Sequence, residues 1–125
     1  MQEPDGLNSI VMANDRNAYW VLKGIGNTTL REHIYKQIPG EIFDSHDFTN
    51  SFVKHFNKEF DEMIELHKSD GDMNDILRTI SNLMGVYLGK NRKALGIQKI
   101  GISDLTVNLN LTFTRTSQWR KTEIF

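Results

Sequence analysis

Asp104–Thr114 reads DLTVNLNLTFT, and its alternation decides the fold class. Leu105, Val107, Leu109, Leu111 and Phe113 interleave with Thr106, Asn108, Asn110, Thr112 and Thr114. Successive side chains of a strand point to opposite faces, so the pattern predicts one half-buried strand with an apolar face and a polar one. The segments before it have a helical period instead, which makes the chain a mixture of α and β.

Working back from that strand, Asp72 is the expected N-cap of a helix ending near Leu88. Met73, Ile76, Leu77, Ile80, Leu83, Met84, Tyr87 and Leu88 form its apolar stripe, and Gly89 stands where a C-terminal cap belongs. Phe48, Phe52, Phe56, Phe60, Met63 and Ile64 form the stripe of a preceding helix over about 46–68, capped by Asp44-Ser45-His46-Asp47. The short turn Ser69–Asp72 makes these two an antiparallel helical hairpin. An earlier helix is expected from Thr28 or Thr29, where Thr29 and Glu32 have capping-box spacing, with Leu30, Ile34 and Ile38 on its apolar face and Pro39-Gly40 ending it. The aromatic and β-branched run Ala18–Lys23 suits a strand, paired across Asn14–Asn17 with Ser9–Ala13. Lys90–Lys93 reads as a basic connector and Gln98–Ile102 as a short strand leading into the long one. The expected fold is α+β, an antiparallel sheet of about three to five strands with the helical hairpin (46–68 and 72–88) packed on one face. The prior for 125 residues is a single domain, with residues 1–8 a loose tail.

Hydrophobic residues make up 38% and charged residues 25%, the balance of a soluble globular chain. With no cysteine, disulfides, thiolate metal sites and cysteine nucleophiles are excluded. That absence fits a reducing compartment and a cytoplasmic location. The N-terminal residues lack a basic stretch ahead of an apolar core, so no secretory signal is expected, and no apolar run has the length of a membrane span. The net charge of −1 conceals a division. Residues 1–88 carry eight Lys and Arg against fourteen Asp and Glu, whereas residues 89–125 carry seven against two. Such a split either steers a charged partner or pairs internally.

Catalytic and cofactor motifs are missing. His55 and Glu59 lie one helical turn apart, too few donors for a zinc site, and mark the water line of the phenylalanine stripe. His46-Asp47 is similar to the metal-binding dipeptide of HD-type phosphohydrolases, but those domains draw further ligands from other helices, and Asp44 and Asp47 are better read as caps. His33 is expected at the surface and His67 as a half-buried residue near its helix end. No G-x-S-x-G elbow, dinucleotide loop or P-loop occurs, so no cofactor, metal or catalytic residue is assigned.

The basic C-terminal third supplies the candidate contact residues: Lys90, Arg92, Lys93, Arg115, Trp119, Arg120 and Lys121. The cations suit phosphates or an acidic partner, and Trp119 suits base stacking. These features point first to a small non-enzymatic protein-interaction module, of inhibitor, immunity or adaptor type, with another protein as partner. A homodimer through an edge strand is a related expectation. The alternatives are a nucleic-acid binder or toxin-like ribonuclease, for which this third lacks a histidine, and a structural component of a phage-like assembly.

Overall fold

The computed structural model describes residues 16–123, so the Ser9–Ala13 half of the expected N-terminal hairpin lies outside the described residues. Its other half is a helix, α1 (Ala18–Ile25), and not a strand. Aromatic composition favours a strand, but Ala18, Val21 and Leu22 are buried at helical spacing, and Asn17 caps the helix by accepting from the Trp20 amide. The Ala18 amide, a second free donor at this end, is bonded to His67 Nε2 at 3.0 Å.

Helix α2 (Asn27–Gln37) buries Leu30 and Ile34, and Ile38 follows them into the interior just ahead of Pro39. The expected Thr29–Glu32 capping box does not form, because the helix starts earlier, from Gly26. After β1 (Ile42–Asp44), the long second helix is two helices, α3 (Ser45–His55) and α4 (Asn57–Leu66). Phe56 leaves helical geometry at φ −123° and ψ 50° while still donating to the Phe52 carbonyl and accepting from the Phe60 amide. The break lets α3 pack on the following helix while α4 packs on α1 as well. Phe48, Phe52, Phe60 and Met63 are buried as their spacing predicts.

Helix α5 (Met73–Lys90) begins at Asp72, which forms a capping box with Asp75. It runs through Gly89 to Asn91, because α6 (Arg92–Leu95) continues the coil where a basic connector is expected. The turn-ending glycine is Gly96, at φ +70°. Tyr87 donates to Asn27 Oδ1 and Asn27 donates to Asn91 Oδ1, tying the α1–α2 junction to the α5–α6 junction.

Strand β2 (Ile97–Ile102) leads to a small hairpin, β3 (Thr106–Val107) and β4 (Phe113–Thr114), and then to β5 (Ser117–Lys121). The main sheet is antiparallel in the order β1-β5-β2, with Phe43 opposite Trp119 and a bulge between Lys99 and Gly101. The fold is therefore α+β, with helix α3 against β1 and β5. Phe43, Trp119 and Ile97 carry the sheet into the core formed by the helices.

The single strand expected over 104–114 is instead the β3–β4 hairpin. Asn108 makes the turn. Its Oδ1 accepts from the Asn110 and Thr112 amides, a local alternative to the strand ladder. Leu111 takes the left-handed conformation at φ +64°. The apolar face fails accordingly, for Leu111 and Phe113 are 83% and 68% exposed.

Candidate functional site

A polar cleft of about 450 Å³ opens between α5, the start of α3 and the hairpin. Asn74, Arg78, Ser81, Asn82 and Gly85 line it from α5. Ser45, His46 and Thr49 come from α3, and Asn108, Asn110, Thr112, Thr114, Arg115, Thr116 and Ser117 from the C-terminal third. The lining holds two arginines and one histidine but no carboxylate and no large apolar residue.

Local sequence sets each wall. The Asp44–Asp47 capping box fixes the first turn of α3, with Asp47 N donating to Asp44 Oδ1 at 2.8 Å and Asp44 N to Asp47 Oδ2 at 2.9 Å. Burial, with the Asp44 carboxylate as a lesser contributor, raises the Asp47 pKa above the usual carboxylate value. Trp119 Nε1 donates to Ser45 Oγ at 2.9 Å and anchors that turn to the sheet. Asn110 Nδ2 donates to the Asn74 carbonyl at 2.9 Å, which docks the hairpin turn on the first turn of α5.

Asp44 and His46, two positions apart, meet Thr106 from about sixty residues further on at the floor. Thr106 Oγ1 donates to Asp44 Oδ2 at 2.9 Å and lies 2.7 Å from His46 Nδ1. A carboxylate only accepts, so the hydroxyl proton points to Asp44 and the threonine oxygen accepts from His46 Nδ1–H. His46 Nε2 sits 3.4 Å from Thr114 Oγ1, an oxygen that also accepts from Asn108 Nδ2 at 3.1 Å. His46 is 8% exposed and Asp44 4%. Arg78 pairs with Asp75 at 3.1 Å through one of its nitrogens. Ser81 Oγ is buried with no hydrogen-bond partner among the described residues.

Of the seven residues singled out from sequence, only Arg115 lines this cleft. Trp119 and Lys121 lie in the interior, each 2% exposed, and not on a contact surface. Trp119 belongs to the core, and Lys121 Nζ donates to the Ile38 carbonyl, with burial lowering its pKa from the ordinary lysine value. Arg120 pairs with Glu41 at 3.5 Å, Arg92 donates to the Gly89 carbonyl at 2.7 Å, and Lys90 lies over the Tyr19 ring. Lys93 is exposed on α6. The basic third is thus dispersed over several faces. Arg78 and His46 were missed, since neither lies in the basic third and only the tertiary fold joins them to Arg115. The polar members of 104–114 were the one signal toward this wall.

The other histidines lie outside the cleft. His33, expected at the surface, is 6% exposed and packs among Phe48, Phe56 and His55 with Ser51 Oγ 2.9 Å from its Nε2. His67 accepts from Ala18 through Nε2 and donates through Nδ1 to Asp70 at 2.7 Å. Among the described residues no three metal-ligating side chains cluster, and no helix is long and apolar enough to cross a membrane. No family model, curated protein or solved structure matches the chain.

Proposed function

We propose that the chain binds nucleic acid, seating the phosphodiester backbone in the cleft between α5, α3 and the hairpin. The observation that carries this reading is the composition of the lining. Arg78 and Arg115 reach the cleft from separate parts of the chain, hydroxyl and amide side chains fill the space around them, and no Asp or Glu lines it. An anion meets charge-assisted donors in the lining, while the nearby carboxylates are engaged, Asp75 with Arg78 and Asp44 with Thr106. The volume lies within the roughly 300–1,000 Å³ of ligand clefts, but no large apolar side chain lines it, which suits a phosphate and sugar better than an apolar ligand. Fluorescence anisotropy with labelled RNA and DNA oligonucleotides at rising salt tests it. Arg78→Ala and Arg115→Ala should each weaken binding and lower the salt slope by about one, while Lys58→Ala on the exposed side of α4 leaves both unchanged. Equal affinity in all three variants removes the reading.

A second reading, protein interaction, is favoured by the apolar residues that the hairpin leaves in water. Leu105, Val107, Leu111 and Phe113 are all exposed, with Ile102 beside them in sequence at 60%. Exposed apolar patches of this kind are contact surfaces. A second copy of the chain is the occupant that the pure protein can test. Light scattering should show a dimer that Leu111→Asp with Phe113→Asp converts to monomer; a monomer at all concentrations removes self-association.

A further inference from the structure

His46 is the only imidazole in the cleft, and the fold leaves it in one tautomer. Asp44 takes the Thr106 hydroxyl proton, Thr106 takes His46 Nδ1–H, and Nε2 is left as the acceptor, 3.4 Å from the Thr114 hydroxyl, in a cleft that Arg115 also lines. A neutral imidazole so oriented is a proton acceptor placed next to a phosphate-binding surface. We propose, resting on the nucleic-acid reading above, that His46 is a general base and that the substrate is RNA. Nε2 removes the proton of a ribose 2′-hydroxyl. The 2′-oxygen electron pair forms a bond to the adjacent phosphorus, and the bond from phosphorus to the 5′-oxygen breaks. The departing 5′-oxygen takes a proton from water, and the hydroxide so formed removes the proton from His46. The products are a 2′,3′-cyclic phosphate and a 5′-hydroxyl. Arg78 and Arg115 hold the charge that builds on the non-bridging oxygens. Thr106 and Asp44 are positioning residues that keep the proton on Nδ1 and make Nε2 the acceptor, where the ribose hydroxyl takes the place of the long Thr114 contact. DNA, lacking the 2′-hydroxyl, is held but not cut.

The experiment incubates the full chain, in chelator, with an RNA oligonucleotide, its all-2′-deoxy counterpart, and the RNA with one 2′-deoxy nucleotide at the cut site. Binding is followed in parallel. RNA should be cut to cyclic-phosphate ends, with both deoxy substrates bound and intact. His46→Asn should still bind RNA and, with the RNA saturated, cut on the order of 10²–10⁴-fold more slowly. The single-deoxy substrate keeps the test decisive even if that variant fails to fold. RNA bound but uncut overturns this inference and leaves the binding reading standing, whereas absence of binding to either polymer overturns both. Cutting of DNA at the same rate, a requirement for added divalent metal, or wild-type cutting by His46→Asn also overturns it.

Discussion

His33 illustrates how a single residue turns burial into a pH dependence. Its imidazole lies among Phe48, Phe56 and His55, and burial first, then the nearby His55, lowers its pKa to about 4. The unfolded chain binds this proton with the ordinary value near 6.5. The unfolded state therefore takes up the proton before the folded one, and stability falls as pH drops from about 6.5 towards 4, then levels. Urea unfolding across pH 7 to 4 should show this loss, and His33→Gln, which has no charge to gain, should reduce it. An unchanged profile in that variant would place the acid sensitivity elsewhere. The signal in sequence for His33 was its place three residues after Leu30 on the apolar stripe, which a polar side chain hides. Its helix is weakly amphipathic, and its neighbours come from α3 and Phe56. His46 was equally hidden: a polar residue in the first turn of a helix reads as exposed until Thr106 and Thr114 close over it.

At the level of elements, local chemistry wrote the helix starts and tertiary contacts wrote the rest. The Asp44 and Asp72 caps were legible because a capping box involves residues only three apart. The end of the α5–α6 stretch was misplaced at Gly89. Gly89 is merely an interior residue of α5 near Trp119, whereas Gly96 takes the left-handed conformation that a C-terminal cap needs. A side chain at 96 would also meet Tyr35 Oη at 2.9 Å and the Arg31 guanidinium at 3.1 Å. Gly96→Ala should therefore cost about 1–3 kcal/mol in urea unfolding, against a few tenths if the position were an ordinary turn. The helix at Ala18–Ile25 was misread because composition is a weak guide over eight residues. Its stability comes from burial at 18, 21 and 22 and from the His67 contact 49 residues away in sequence.

Across the whole molecule, the charge division between the acidic first part and the basic last part is partly consumed by pairing. Arg120 with Glu41 does so, whereas Arg31 with Glu123 joins the two parts with the charges reversed and leaves the division unchanged. Such exposed pairs are worth about 0–1 kcal/mol, so they account for where the charges lie more than for stability. Arg78 from the first part and Arg115 from the last line one cleft with His46. The sequence by itself determined that the chain mixes helices and strands, where α3 and α5 begin, and most of the apolar residues those helices bury, because caps and apolar periodicity act over one or two turns, though Met73 at the start of the α5 stripe is 52% exposed. It also determined that 105–113 alternates, but alternation is satisfied equally by one strand and by two short strands around a turn. Only the tertiary structure decided between them, through the Asn108 side chain and the docking of Asn110 on Asn74. The same docking brings Thr106 to His46 across 60 residues of sequence. A pairing at that separation is set by how the core closes, and no local pattern encodes it.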